Sequence, residues 1–163
     1  MAERWVVNAS PIIVLAKVGH AHLLSALVNE IVVPQIVVDE IDAGPFDDPA
    51  RIWLAEQPLS VVDVSAFPAE LLAWDLGAGE TAVMGYALAN SGWTAILDDG
   101  AARKCARSFG IPVKGTLAVV ILAKQKGIIQ SAAEMIRQLQ NHDYRIQDEI
   151  VRDALAQTVG EEW

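Results

Sequence analysis

The chain has few of the side chains that make covalent cross-links or soft metal sites, with one cysteine, Cys105, and three histidines among 163 residues. A single cysteine cannot form an internal disulfide or a cysteine-based zinc site. Long apolar runs are also missing, since the longest one, residues 117–123, falls far short of the roughly 20 residues needed to cross a bilayer. These absences exclude a disulfide scaffold, a cysteine-ligated zinc module and a membrane-spanning helix.

Basic side chains are in short supply as well. The chain has 12 Lys and Arg against 21 Asp and Glu, which gives a net charge of −9 and an isoelectric point near 4.7. A protein that grips duplex DNA non-specifically over its whole surface is expected to be basic, so this composition disfavours that class.

Apolar residues, in contrast, are plentiful. Hydrophobic side chains make up 53% of the chain and the mean hydropathy is +0.31, enough to build a substantial core and to exclude disorder as the main state. The length predicts one compact domain over residues 1–163. The N-terminal segment does not resemble a signal peptide, because Glu3 precedes its apolar stretch and polar residues interrupt it. We therefore expect a soluble, cytoplasmic protein.

Short β-branched runs alternate with segments of helical periodicity, which predicts an α/β domain with a central parallel sheet and a helical C-terminus. The predicted strands are 4–7, 30–33, 59–64, 94–97 and 112–114. The predicted helices are 11–17 (with Ser10 as N-cap), 21–28, 34–42, 50–56, 79–91, 100–109, 116–126 (with Thr116 as cap), 131–141 and 147–158. Residues 44–49, with two prolines and two aspartates, predict a loop.

Two glutamates share a helix face with apolar residues. Glu40 follows Ile36 by four residues and Val37 by three, and so falls on the stripe that they form with Ile41. An ordinary explanation stays open, because Glu40 could bend towards solvent or pair with an arginine.

Glu80 precedes the second stripe, which consists of Val83, Met84, Ala87 and Leu88, by three and four residues. The helix dipole alone could favour an acid in this first turn. A buried carboxylate is otherwise costly unless it is paired or bound to a metal ion.

A pair of adjacent aspartates, Asp98 and Asp99, follows the predicted fourth strand. In open parallel sheets, ligands bind beyond the carboxyl ends of strands where the strand order reverses, and Asn8 at the end of the first strand is the expected neighbour. One aspartate could serve as the N-cap of the next helix, and the sequence does not decide which. Two adjacent carboxylates repel each other, and a divalent cation would relieve that repulsion.

Together these residues form a set of hard oxygen donors without histidine or thiolate, which suits Mg²⁺ or Mn²⁺ better than Zn²⁺. Such a site can hydrolyse a phosphodiester. The candidate catalytic and metal-ligating residues are Asn8, Glu40, Glu80, Asp98 and Asp99, with Ser10 beside them.

The order and spacing of these motifs resemble the PIN-domain family, the fold of VapC-like toxin ribonucleases, over nearly the whole chain. The matching segments are Val-Val-Asn8-Ala-Ser10-Pro, Val-Pro-Gln-Ile-Val-Val-Asp-Glu40, Gly-Ala-Gly-Glu80 and Ile-Leu-Asp98-Asp99-Gly, with a C-terminal Tyr-Arg-Ile-Gln-Asp-Glu-Ile. The resemblance implies a three-layer α/β/α domain, one or two Mg²⁺ or Mn²⁺ ions and cleavage of single-stranded RNA. It also implies a small antitoxin partner and a homodimer.

Under the resemblance, Glu40, Glu80 and Asp99 match the second, third and fourth family acids, and Ser10 matches the hydroxyl residue that follows the first. The first family acid is usually aspartate, and here it is Asn8, which keeps an oxygen ligand but has no charge and cannot accept a proton. We expect either a slowed nuclease or a PIN-like module that binds RNA or a protein partner without cutting it. A receiver-like phosphoacceptor domain fits less well, because its acidic pair belongs after the first strand.

The acidic total conceals a local basic segment. Residues 98–127 carry six Lys or Arg against two Asp, a net of +4, so the rest of the chain carries −13. Such a segment could contact a phosphate backbone, although surface cations near helix ends are also common. The predicted substrate-binding residues are Ser10, Arg103, Lys104 and Arg107.

Overall fold

The computed structural model describes residues 3–57 and 59–163. Five parallel strands form one sheet in the order β3-β2-β1-β4-β5: β1 (Arg4–Val7), β2 (Glu30–Pro34), β3 (Ser60–Val62), β4 (Trp93–Ile96) and β5 (Val113–Lys114). The helices of this part of the chain flank the sheet: α1 (Ala9–Lys17), α2 (His22–Leu27), α3 (Gln35–Asp42), α4 (Pro49–Glu56), α5 (Ala69–Leu72), α6 (Ala78–Ala89), α7 (Gly100–Ser108), α8 (Thr116–Gln125), α9 (Ala132–Gln140) and α10 (Asp148–Thr158). The predicted three-layer α/β/α fold is confirmed.

The central strand β1 marks the point where the strand order reverses. The chain moves outwards from β1 through β2 to β3 and then returns to β4 on the other side of β1. The ends of β1 and β4 are in register. Val7 pairs with Ile96, and the backbone N–H of Asn8 donates to the Ile96 carbonyl oxygen at 3.2 Å. Asn8 and the aspartate pair therefore leave the same edge of the sheet, where open α/β sheets bind ligands.

The strands at the centre of the sheet are buried on both faces. Trp5, Val6 and Val7 of β1 are fully buried, as are Ala95 and Ile96 of β4. Burial on both sides is typical of parallel sheets covered by helices, and it explains why these strands read as continuous apolar runs rather than alternating ones. This packed centre gives the polar edge beyond it a rigid base.

Two predicted helix N-caps, Ser10 and Thr116, are not the observed ones. Helix α1 begins at Ala9 with Asn8 at the N-cap position, so Ser10 lies inside the first turn instead of capping it. Helix α8 begins at Thr116, with Gly115 at the N-cap position. In both cases a side chain taken for a local cap is used in a long-range contact with Asp98, which sequence spacing cannot reveal.

Burial and element lengths also differ in places. Ile36, placed on the buried stripe of α3, is 38% exposed, and Glu40 is exposed as well, so the apolar stripe of α3 consists of Val37 and Ile41. Leu88 is only half-buried.

Strand β3 is shorter than predicted because it lies at the sheet edge and pairs with β2 alone. Helix α5, a single turn after Pro68, was not predicted. No helix in the described ranges is long and apolar enough to span a membrane.

The C-terminal tail closes the N-terminus of α9. Glu161 accepts hydrogen bonds from the Ala132 and Ala133 amides at 2.9 and 3.1 Å and from the Ser131 hydroxyl at 3.0 Å. Desolvation alone would raise the pKa of Glu161, but these hydrogen bonds to the charged form outweigh it and lower the pKa. The ionised carboxylate thus satisfies helix amides that would otherwise lack partners.

We expect Glu161→Gln to lower the free energy of unfolding by about 1 kcal/mol, the typical value of an N-terminal helix cap. Because the folded pKa lies below the unfolded value, the contribution is present above the unfolded pKa and is lost as pH falls through the folded one. Urea unfolding of both proteins at neutral and acidic pH measures this difference. Glu162→Gln, at an exposed neighbouring position, is the control. Equal stability of all three proteins at neutral pH would contradict the assignment.

Candidate functional site

Asn8 and Glu40 converge on the backbone of Gly79 at the start of α6. The Gly79 amide donates to Glu40 Oε1 at 3.1 Å. A β-carbon placed on Gly79 would lie 2.8 and 2.9 Å from Glu40 Oε2 and Oε1 and 3.0 Å from Asn8 Oδ1. Only a glycine leaves room for both groups, so the three elements that follow β1, follow β2 and precede β4 meet at one point.

Asn8 carries an unsatisfied oxygen at this point. The residue is 6% exposed, and its Oδ1 atom is buried without a hydrogen-bond partner. A buried acceptor without a partner costs about 1–3 kcal/mol and calls for an explanation such as a water molecule or an ion. The neighbouring Glu40 carboxylate supplies further acceptor oxygens and negative charge but no donor. The pair therefore suits a bound cation.

Glu80, one residue further along α6, shares the electrostatic environment of this point. Burial is the main cause that raises the pKa of Glu80, followed by the charge of Asp99, while the Gly77 backbone opposes the rise and Glu40 adds to it. The charges of Asp99 and Glu40 that raise the pKa of Glu80 indicate that both carboxylates lie within electrostatic reach of it at the edge of the sheet. A positive ion among them would relieve that repulsion.

The two aspartates after β4 have different roles. Asp99 is the N-cap of α7, because its Oδ2 accepts from the Ala102 amide at 2.9 Å. The same aspartate is the one whose charge acts on Glu80. The structure thus gives the capping role, left open by the sequence, to Asp99.

Asp98 instead joins β4 to the start of α8. Its Oδ1 accepts from the Thr116 amide at 2.7 Å, and its Oδ2 accepts from the fully buried Thr116 hydroxyl at 2.6 Å. The Ser10 hydroxyl approaches Oδ2 at 3.4 Å, which is long for a hydroxyl donor. Both oxygens of Asp98 are therefore engaged within the protein, whereas the buried Asn8 Oδ1 has no partner.

The predicted substrate-binding residues do not all lie together. Ser10 faces Asp98. Arg103 is half-buried and, with Asp98, crowds Gly115: a β-carbon there would lie 2.7 Å from Arg103 Nη1 and 3.0 Å from Asp98 Oδ1. Arg107 lines the same groove as Arg103, whereas Lys104 is exposed and does not line it.

Sequence reasoning missed several residues that shape this edge. The sequence predicts Gly79 only as the start of a helix, and the two glycines of the Gly-Ala-Gly-Glu80 motif are the available signal for a close backbone approach. Thr116 is predicted as a cap and not as a partner of Asp98. Tyr144 is 8% exposed, and burial and the charge of Asp98 raise its pKa, which places its phenol near that carboxylate. The quoted C-terminal Tyr-Arg-Ile segment was the available signal.

Within residues 3–57 and 59–163, no three His, Cys, Asp or Glu side chains form a metal-binding group by themselves. The oxygen ligands that do converge are the Asn8 side-chain oxygen and the Glu40 carboxylate. Glu80 and Asp99 lie within electrostatic reach of this point. Mg²⁺ commonly keeps several waters and uses one or two carboxylates together with substrate phosphates. The residues present therefore fit a hard divalent cation of this kind.

Comparison with known proteins gives one family. The model of a PIN-domain family matches residues 4–161, nearly the full length of the chain. A search of curated proteins gave no match.

Proposed function

The chain belongs to the PIN-domain family, a nuclease fold, and from this we propose that it is a metal-dependent endoribonuclease that hydrolyses phosphodiester bonds of single-stranded RNA. The observation that carries the proposal is the meeting of Asn8 and Glu40 at Gly79, with Glu80 and Asp99 repelling each other nearby. Oxygen donors without a counter-charge at the carboxyl edge of a parallel sheet are what a phosphodiesterase site requires.

Asn8, Glu40, Glu80 and Asp99 would hold Mg²⁺ or Mn²⁺, which when bound supplies a Lewis acid for the phosphate and a more acidic water. Glu40 is oriented by the Gly79 amide and Asp99 by its capping bond to Ala102, so both carboxylates are positioned before substrate binds. Asn8 cannot take up a proton, so the carboxylates of Glu40, Glu80 and Asp99 would be the groups able to accept the proton of the attacking water. Asp98 acts as a positioning residue that fixes the turn carrying Asp99.

The experiment that tests the proposal compares Mn²⁺-dependent cleavage of single-stranded RNA by wild type, Asn8→Asp and Asp99→Asn. We expect Asn8→Asp to cleave about ten- to a hundredfold faster at limiting Mn²⁺, because a charged oxygen replaces a neutral one beside Glu40. Asp99→Asn should lose cleavage. If none of the three cleaves, or if Asp99→Asn matches wild type, the proposed site is wrong.

A second candidate function is supported by the same amide. With Asn8 in place of an acid, the chain would be a module that binds RNA or a protein partner without cleaving it. Calorimetric titration with Mn²⁺ separates the two, since a binding module should show no carboxylate-dependent metal site. The toxin role, the small antitoxin partner, the homodimer and the cytoplasmic location stay predictions from the sequence.

A further inference from the structure

A groove with three arginines opens beside the candidate nuclease site. It has a volume of about 580 Å³, within the range of ligand sites, and its lining includes Asp98. Arg103 and Arg107 come from α7, and Arg145 comes from the loop between α9 and α10. We call this the arginine groove.

The charge of the arginine groove is opposite to that of the protein. Its lining contains three arginines and a single acid, Asp98, whereas the whole chain carries −9. Asp98 already accepts hydrogen bonds from Thr116 on both oxygens. The acids nearest to Arg145 in sequence, Asp143 and Asp148, are not part of the lining, and Asp148 accepts a hydrogen bond from the Trp163 indole at 3.1 Å. The groove is therefore a local positive site that attracts anions.

The loop that carries Arg145 is held in place from several sides. The Tyr144 amide donates to the Leu139 carbonyl at 3.0 Å, and the Tyr144 ring is buried. Gln140 Nε2 donates to the Ile146 carbonyl at 3.4 Å. Arg145 itself is exposed, so its guanidinium can contact a ligand while the backbone of the loop is held in place.

Apart from Gln147 and the Tyr144 phenol, the remaining side chains of the lining are apolar. Leu117 and Ile146 are half-buried, and Ile150 on α10 is 50% exposed. A groove with guanidinium groups and an exposed apolar wall matches a nucleotide, which combines a phosphate with a flat base. Because Asp98 adjoins Asp99 of the candidate site, a strand whose phosphate lies there can continue into the groove.

Resting on the proposed function, we infer that the arginine groove binds a nucleotide next to the scissile phosphate of single-stranded RNA. Arg103, Arg107 and Arg145 contact the phosphate backbone, and Ile150 contacts the base. Arg145 thereby determines substrate affinity although it lies far in sequence from every candidate catalytic residue.

The test is binding of a fluorescein-labelled single-stranded RNA of about ten nucleotides, measured by anisotropy in EDTA over a range of salt concentrations. Arg145→Gln should weaken binding about fivefold, as expected for one exposed ion pair. It should also reduce the slope of log affinity against log salt by about 0.7, the value for one phosphate contact to a single strand. Ile150→Ala should weaken binding about threefold without changing the slope.

The matched control is Arg152→Gln, an exposed arginine of α10 outside the groove. If Arg145→Gln and Arg152→Gln give the same affinity and slope, or if wild type does not bind the RNA, the inference is overturned. Binding of an acidic peptide in place of RNA would also overturn it and assign the groove to a protein partner.

Parallel Mn²⁺ cleavage assays separate this inference from the proposed function. If wild type cleaves RNA but Arg145→Gln gives the same affinity and salt slope as Arg152→Gln, the role of the arginine groove is rejected and the nuclease function is kept. The expected binding pattern without cleavage by any variant would keep the groove and reject the nuclease.

Discussion

Replacing Gly79 by alanine is expected to abolish metal-dependent cleavage while leaving the fold intact. The new methyl group would lie less than 3.0 Å from both carboxylate oxygens of Glu40 and 3.0 Å from Asn8 Oδ1. These atoms are side-chain ends, and Glu40 is exposed, so its carboxylate can swing towards solvent. The Glu40 carboxylate and Asn8 Oδ1 would then no longer face the same cation. We expect cleavage to fall by about a hundredfold or more, since even outer groups of a metal site affect affinity by roughly 10–100-fold.

The stability of the same variant should move little. Alanine favours the helix over glycine by up to about 1 kcal/mol, which offsets the loss of the hydrogen bond between the Gly79 amide and Glu40. Thermal unfolding and Mn²⁺-dependent cleavage, measured on one preparation, separate the two effects.

The control is Gly77→Ala at the N-cap of α6, where a β-carbon would make only ordinary contact with Glu80 at 3.9 Å. It should keep wild-type cleavage. Wild-type cleavage by Gly79→Ala would show that Asn8 and Glu40 do not act together.

The second large effect separates the adjacent aspartates. Asp98→Ala is expected to lower the free energy of unfolding by roughly 2–4 kcal/mol, because it removes two short charge-assisted hydrogen bonds and leaves the buried Thr116 hydroxyl without a partner. Asp99→Asn should change that free energy by less than about 0.5 kcal/mol, since asparagine and aspartate are equally good N-caps. Its cleavage activity should nevertheless be lost, because the charge that faces Glu80 is gone.

Urea unfolding of both variants measures the difference in stability, and cleavage assays measure the loss of activity expected for Asp99→Asn. Thr116→Val is the companion variant for the stability effect, because it removes only the hydroxyl and should lose part of what Asp98→Ala loses. Equal destabilisation by Asp98→Ala and Asp99→Asn would contradict the separate roles that the hydrogen bonds assign.

Much of this architecture was predictable from local patterns. The apolar runs at β1, β2 and β4 and the helical periodicity between them predicted a parallel sheet, and the strand bounds agree to within two residues, with β3 half as long as predicted. β3 is an edge strand, and its end depends on the length of its partner. The PIN-like resemblance of the ordered motifs was confirmed by the family match. Such patterns are readable because periodicity is a property of neighbouring residues.

The inward direction of the acids was only partly predictable. Helical spacing placed Glu40 on a stripe with Ile36, yet both are exposed, and the Glu40 carboxylate reaches Gly79 along the helix surface. A long side chain can direct its charged end away from the face on which its Cα lies. Spacing therefore singled out Glu40 but predicted the wrong surroundings for its side chain.

The amino-acid sequence by itself determined that Asn8 and the aspartate pair leave the carboxyl edge of the sheet, because each follows a strand, and that Glu80 lies in the first turn of a helix. It also determined that an amide, Asn8, stands where an acid is usual in the family that the chain resembles. Only the tertiary structure decided that Gly79 brings Asn8 and Glu40 together, that Asp98 holds α8 while Asp99 caps α7, and that Arg145 joins Arg103 in one groove. These contacts link segments far apart in the chain, and their distances follow from how helices pack on the sheet.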